Sequence, residues 1–161
     1  MFSGNTDPFL PIVLLLGISV LPFFAVLATS YTKLVIVFGL MRLALGTQQV
    51  PPNLVMNAMA IVLTCFVMAP VGSEIAAVVG PKLAGQEQRF DDLVKASNAA
   101  AVPIRTFLNK HAREREKRLF LKTAQDIWPR DYAAKAQADD LLILLPSFTL
   151  SEVTRAFVIG F

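Results

Sequence analysis

The chain has 161 residues, enough for one ordinary domain and too few for two sizeable ones. Hydrophobic residues make up 55% and charged residues 17%, against roughly 45–50% and 25% in average soluble domains, which excludes a disordered, collagen-like or simple soluble chain. The single cysteine excludes a disulfide framework and a cysteine-cluster metal site, and the single histidine excludes histidine-rich metal ligation and argues against a Ser-His-Asp triad.

Charged residues are concentrated in one part of the chain. Residues 81–140 carry 12 of the 15 Lys and Arg residues and 9 of the 12 Asp and Glu residues. We therefore predict an all-α membrane protein in which a charged helical insert, 81–140, separates the second and third apolar segments. In this division, 1–80 hold N-terminal apolar helices and 141–161 begin a further one.

The first apolar helix is predicted at Phe9–Ala28, since a hydrocarbon core of about 30 Å needs about 20 helical residues. A secretory signal peptide is the alternative, but it expects a positive start, and the only charge before this segment is Asp7. A retained helix is favoured. Pro22 predicts a kink or a break inside it.

Lys33 and Arg42 bracket a second apolar stretch that is predicted to stop at Gly46. The two cations are nine positions apart, which places them on opposite faces of a helix. A helix that turns one broad face to lipid therefore cannot keep both cations away from the lipid. At least one is therefore expected at an interface or against another protein, with simple flanking of a membrane edge as the alternative.

A turn is predicted at 47–53. Pro51 and Pro52 have a fixed φ and lack N–H donors, so they stop one helix and suit the first turn of the next. The following 18 residues, Leu54–Val71, are apolar enough to span a membrane. Pro70 and Gly72 are predicted to end this span, and Glu74 opens a short apolar tail.

The polar segment opens at Gly80-Pro81 and holds two amphipathic stripes, with Pro103 predicted to end the first helix. The run 111–118 forms the wet face of the second stripe, with Glu114 and Arg118 paired at i, i+4. Glutamates interleave with the cations and no aromatic residue lies among them. A solvated, self-paired helix face is therefore favoured over nucleic-acid binding.

The last apolar run is predicted to end at Pro146, and Thr149 with Glu152 fits a capping box that starts a new helix. Glu152 and Arg155 are i, i+3, so they can pair on one helix. A role in subunit contacts and simple placement at a membrane edge are both open. The helix reaches Phe161 just as it becomes fully apolar, which suggests that the natural chain continues.

No catalytic constellation is found. His111 lies on an apolar stripe, which favours a packed structural residue over a general base or proton relay. Cys65 lies deep in an apolar helix, which favours an inert residue over a nucleophile or lipidation site. There is no phosphate-binding glycine loop, HExxH ligand set or GxSxG elbow, so we predict no enzymatic activity, cofactor or metal.

Three segments together are similar to one family across essentially the whole chain. They are Thr29–Lys33 continuing into Arg42-Leu-Ala-Leu-Gly-Thr-Gln-Gln-Val-Pro-Pro-Asn53, Pro103 through Phe120, and Leu144 through Phe161. The family is the type III secretion export-gate protein, called SctR in injectisomes and FliP in flagella. The Leu-Gly-x-Gln-Gln-x-Pro-Pro-Asn segment is highly specific for this family, and its residues Gln-Gln-Val-Pro-Pro favour the injectisome branch.

The resemblance implies a non-enzymatic, multi-pass subunit of the bacterial inner membrane at the base of the secretion machine. It implies a homopentamer that assembles with two other small hydrophobic export-gate proteins and passes unfolded secretion substrates, in contact with membrane lipid and not with nucleic acid. It also places the polar segment on the extracytoplasmic side. Gating residues of the family lie beyond Phe161 and are not assigned. The candidate interface or structural residues are Lys33, Arg42, Gln48, Gln49, Pro51, Pro52, Asn53, Glu74, Arg105, His111, Arg113, Glu114, Glu152 and Arg155.

Two other function classes are also compatible with the sequence. A small-solute transporter or channel subunit would be favoured by an inverted repeat in a C-terminal continuation. A membrane-anchored enzyme would be favoured by a reproducible activity of residues 81–140 alone.

Overall fold

The structure, a computed structural model, describes residues 9–47, 50–83 and 90–161. These ranges form seven helices and contain no strand, which confirms the prediction of an all-α chain. The helices are α1 (Phe9–Leu27), α2 (Tyr31–Ala44), α3 (Asn53–Leu83), α4 (Phe90–His111), α5 (Glu114–Ile127), α6 (Arg130–Ala133) and α7 (Leu141–Gly160).

Two of these helices, α3 and α7, are each long and apolar enough to cross a membrane. The pair α1 and α2 passes the same test jointly, with a bend of 52° at the short break between them. By length and composition, the described residues therefore hold two helices able to span a membrane, or three candidate spans if the bent pair is one broken span. This agrees with the predicted class of an all-α membrane protein.

The break after α1 does not lie at Pro22, where the sequence predicted a kink or a break. Pro22 lies inside α1, and the helix ends at Leu27, five residues later. Proline removes only one intrahelical hydrogen bond, and long apolar helices tolerate it where neighbouring groups satisfy the freed backbone. The bend occurs instead where hydroxyl side chains offer the backbone other partners.

Prolines elsewhere also lie within helices, against the predicted boundaries. Pro70 and Pro81 both lie inside α3, Pro103 inside α4 and Pro146 inside α7. Pro103 is buried, so packing against its neighbours holds α4 together across the lost hydrogen bond. The helix that was predicted to end at Pro103 ends at His111.

The predicted capping box at Thr149 is also wrong. Thr149 lies in the middle of α7, which begins at Leu141 behind the extended residue Asp140. The Thr149 hydroxyl donates to the Leu145 carbonyl one turn back, with an Oγ1–O distance of 2.8 Å. Glu152 uses its carboxylate for ion pairs and not for the helix start.

Helix α7 lies at the centre of the packing and contacts α2, α4 and α5. A buried cluster joins α7 to α4 and to the break after α1, through Ala28, Leu108, Ala112, Leu144 and Phe148. Helix α3 packs against α2 and α4, while α1 makes its contacts mainly with α2. One face of the first turns of α7, with Ile143, Leu144 and Phe148, is thus buried beneath the corner between α4 and α5.

Candidate functional site

A buried carboxylate joins α2 to α7. Glu152 is 1% exposed, and each of its oxygens has its own cation: Lys33 Nζ lies 2.8 Å from Oε2 and Arg155 Nη1 lies 3.0 Å from Oε1. Arg155 reaches Glu152 from one turn along α7, as the i, i+3 spacing predicted, whereas Lys33 reaches it from the first turn of α2. The ion group is therefore shared between two helices.

The same face of α7 also supports the break between α1 and α2. A helix leaves its last four carbonyls without intrahelical partners, and those of α1 all have acceptor roles here. The pairs are Ala28 N to Phe24 O at 2.8 Å, Thr29 Oγ1 to Ala25 O, Thr32 Oγ1 to Val26 O at 2.7 Å, and Thr149 Oγ1 to Leu27 O at 3.3 Å. Three of the four donors are threonine hydroxyls, which compete well with backbone donors at helix ends.

We call Lys33, Thr149, Glu152 and Arg155, with the break at 28–30, the polar junction. Thr149 and Glu152 lie nearly one turn apart on α7, and they contact Leu27 and Lys33 on either side of the break. The junction therefore fixes the bend between α1 and α2 through two separate contacts to α7.

The corner between α2 and α3 holds a second group of candidate residues. Gly46 has φ of +67°, a left-handed conformation that favours glycine, and it ends α2 as predicted. Arg42 Nη1 donates to Asn53 Oδ1 across the corner at 2.5 Å. Pro51 and Pro52 directly precede α3. Gln48 and Gln49 lie outside the described residues.

Glu74 is exposed on α3 and forms no ion pair with any residue that the structure describes. It follows the first residue of α3 by 21 positions, or about 32 Å of helix at 1.5 Å per residue. That distance matches the thickness of a hydrocarbon core, so a span that begins at Asn53 would have Glu74 at its far edge. The structure does not bring Glu74 near the polar junction.

The polar segment places its candidates at the corner between α4 and α5. His111 Nδ1 lies 2.8 Å from the Phe107 carbonyl oxygen, and its ring centroid is 4.4 Å from that of Phe107. The backbone N–H of Arg113 donates to Ser151 Oγ at 2.9 Å, which connects the start of α5 to α7. The geometry of His111 is that of a packed, hydrogen-bonded side chain.

The sequence predicted that the run 111–118 forms a solvated helix face. In the structure this face is not fully solvated. Glu116 and Lys117 are buried, at 7% and 6% exposure. Glu114 pairs with Lys117 Nζ at 2.5 Å and not with Arg118, whose Nε donates to the Glu114 carbonyl. The difference arises because α5 turns away from α4 at residues 112–113 and packs its first turn against α7.

Sequence reasoning also missed Lys117 and Asn109 as partners. Lys117 Nζ donates to Asn109 Oδ1 at 2.7 Å, although the two residues belong to different helices. Residues eight positions apart lie about two turns apart on one helix face only where the helix is continuous, and here α4 and α5 are separate helices. No local pattern signals the turn that brings them together.

The described residues contain no group of His, Cys, Asp and Glu side chains placed to hold a metal ion. What the polar junction does chemically is to neutralise a buried carboxylate and to satisfy backbone carbonyls at a bend.

Residues 14–161 match the FliP family. The chain belongs to the FliP family. Among its FliP-family relatives, "Pathogenicity-related ORF2" of Xanthomonas campestris pv. glycines is 52% identical over 152 residues, covering 94% of this chain and 69% of that protein. "Hypersensitivity response secretion protein HrcR" of Ralstonia nicotianae is 48% identical over 151 residues, covering 93% and 70%. "Flagellar biosynthetic protein FliP" of Bacillus subtilis is 35% identical over 158 residues, covering 98% and 68%.

These findings confirm the predicted membership of the SctR/FliP group of type III secretion export proteins. The role of a secretion-apparatus subunit follows for this FliP-family chain. Its helices that are able to span a membrane fit that role.

Proposed function

We propose that this chain is a structural, non-enzymatic pore subunit of the export gate in the bacterial inner membrane. Several copies, a homopentamer in the arrangement that the family resemblance implies, assemble with two other small hydrophobic export-gate proteins. Unfolded proteins pass through the resulting pore. In this role the chain contributes helices and contact surfaces and carries out no bond-making chemistry.

The observation that carries the proposal is the apolar outer surface of α1 and α3. Large side chains on both helices are exposed, among them Leu15 and Phe23 at 71% and 70%, and Leu54 and Phe66 at 80% and 79%. Contiguous apolar surface on this scale indicates contact with lipid or with other proteins. The cations of the same half have partners inside the chain, Lys33 with Glu152 and Arg42 with Asn53.

Assembly is tested by native mass spectrometry of the detergent-extracted protein, produced with and without the neighbouring export-gate proteins. Together they are expected to give one complex of discrete mass that contains several copies of this chain. Alone, the chain is expected to be dispersed or short-lived, because its exposed apolar helices lack partners. A monodisperse, long-lived monomer would contradict the proposal, and solute flux through such a monomer in vesicles would favour the transporter alternative.

The pore role is tested with a secretion substrate fused to a domain that resists unfolding. The stalled substrate, carrying a photo-activated cross-linker, is expected to form an adduct with this chain, and a destabilised version of the fused domain is expected to remove the adduct by allowing passage. Adducts with the other gate proteins but none with this chain would show that it lies outside the pore.

A further inference from the structure

A polar cleft of about 500 Å³ opens where α4, α5 and the segment before α7 meet. Residues from all three elements line it, namely Arg105, Asn109, Lys110, Glu114, Lys117 and Asp139. The cleft is separate from the polar junction, which lies between α2 and α7. Its lining is charged, whereas most of the outer surface of the span helices is apolar.

The floor of the cleft is fixed by Lys117. Its side chain is 8% exposed and donates to both Asn109 Oδ1 and Glu114 Oε1. Since Asn109 accepts through its carbonyl oxygen, its side-chain NH₂ is the group left to donate into the cleft. Since Glu114 is neutralised by Lys117, this acidic side chain adds no net charge to the lining.

The remaining charges leave a cationic surplus. Arg105 and Lys110 are exposed and form no ion pair with any residue in the described part of the chain. Among the described residues that line the cleft, Asp139 is the one other carboxylate, so two cations face one anion there. A guanidinium and an ammonium beside an amide donor form a typical donor set for a phosphate group.

The cleft lies at the level where α7 begins. Asp139 precedes the first residue of α7 by two positions, and the 20 residues of α7 have a length of about 30 Å, which equals the hydrocarbon thickness of a bilayer. Leu108, near the end of α4, packs in the same buried cluster as Leu144 in the first turn of α7. Leu142 in that turn is 72% exposed, so an exposed apolar side chain lies three residues after Asp139 in the chain.

We propose that this cleft binds the phosphodiester headgroup of an anionic phospholipid. Arg105 and Lys110 contact the phosphate oxygens, the Asn109 amide donates a third hydrogen bond, and the acyl chains follow the exposed surface at the start of α7. Basic pockets beside membrane helices recognise anionic headgroups in this way. The inference rests on the proposed membrane position of α7, and it favours lipid over an acidic protein because the cleft lies at the boundary of a span.

The test is a titration of the full-length chain, in complex with its export-gate partners, with dioleoylphosphatidylglycerol or dioleoylphosphatidylcholine, read by native mass spectrometry. The wild type is expected to retain more phosphatidylglycerol than phosphatidylcholine. Arg105→Gln/Lys110→Gln is expected to weaken this retention roughly thirtyfold, since each surface cation contributes about 1 kcal/mol to binding anionic lipid. Asp139→Asn is expected to strengthen it, because it removes an anion from the lining.

The matched control is Arg130→Gln/Lys135→Gln, which removes the same charge from exposed positions outside the cleft and is expected to leave retention unchanged. Equal losses in both double variants would reduce the effect to net charge and overturn the site. Displacement of the lipid by millimolar inorganic phosphate would overturn the assignment to a lipid. The same spectra report assembly, so a normal complex without preference for phosphatidylglycerol overturns only this inference, and a missing complex counts against the proposed function.

Discussion

Among the described residues, Glu152 is the most deeply buried charged side chain. Removing a carboxylate from water costs several kcal/mol, and a buried ion pair offsets that cost only when the remaining hydrogen-bonding sites are also satisfied. Both carboxylate oxygens have a cation, and the side chains of Lys33 and Arg155 stay 27% and 34% exposed. Only the Glu152 carboxylate is therefore fully removed from water, which limits the free-energy cost of burying this ion group.

Replacement of Lys33 by methionine is expected to destabilise the protein by about 2 kcal/mol, because one oxygen of a buried carboxylate loses its partner. For a chain of this length, that corresponds to a fall in melting temperature of about 4–8 °C in mild detergent. Lys33→Met/Glu152→Leu is expected to recover part of the loss, since it removes the buried charge as well.

Lys122→Met is the control for this cycle, because Lys122 is exposed and makes no ion pair within the described ranges. It is expected to leave the melting temperature unchanged. Additive effects of the Lys33 and Glu152 substitutions would show that the two side chains do not interact in the protein.

At the scale of elements, α2 and α7 pack closely against each other, and Gly160 allows their approach. A Cβ atom added to Gly160 would lie 2.7 Å from Leu40 Cβ, inside the distance that real Cβ atoms keep. The polar junction holds the other end of the same pair through Lys33 and Glu152. The packing of α2 against α7 therefore depends on the close approach at Gly160 in one place and on the ion pair between Lys33 and Glu152 in another.

Gly160→Ala is expected to destabilise the protein by about 1–3 kcal/mol, since the added methyl group overpacks a close helix contact. Thermal unfolding of the detergent-extracted protein measures the effect. Gly39→Ala is the matched control: Gly39 also lies in a helix of this pair, but a Cβ there has no neighbour within 4 Å.

At Gly39 the change is expected to be neutral or to stabilise by up to about 1 kcal/mol, because alanine has the higher helix propensity. A loss at Gly39 equal to that at Gly160 would mean that packing between α2 and α7 does not explain the effect.

At the scale of the whole molecule, the charge distribution bears on which side of the membrane residues 81–140 occupy. Their 12 Lys and Arg residues favour the cytoplasm under the positive-inside rule, but that rule weakens for loops approaching about 60 residues. It acts more strongly on the short corner between α2 and α3, beside which Arg42 lies. A cytoplasmic corner means that α3 carries residues 81–140 to the extracytoplasmic side, as the family resemblance also implies.

Ala134→Cys in a Cys65→Ala background tests this topology, because Ala134 is exposed and Cys65 is the only native cysteine. The new thiol is expected to react with a membrane-impermeant maleimide in cells whose inner membrane is intact. A cysteine at Thr47, in the corner after α2, is expected to react only after that membrane is opened. The reverse pattern would show an inverted topology.

The sequence by itself determined the features that depend on neighbouring residues. The long charge-free runs predicted helices able to span a membrane, because only helices satisfy the backbone of a single segment in lipid. Gly46 marked the end of α2, and the i, i+3 spacing marked the pairing of Glu152 with Arg155. The Gln-Gln-x-Pro-Pro-Asn segment pointed to the family. Each of these features depends on residues that follow one another along the chain.

Only the tertiary structure decided which distant groups meet. Lys33 reaches Glu152 because α2 packs along α7, and Thr149 reaches Leu27 because the bend after α1 lies against the same face. Pro51 and Pro52 do precede α3 as predicted, but Pro22, Pro70, Pro103 and Pro146 lie inside helices, because packing and the cost of unpaired backbone outweigh one lost hydrogen bond. Lys117, which reads as solvated in the sequence, is buried because α5 turns back onto α7, and no local spacing encodes that turn.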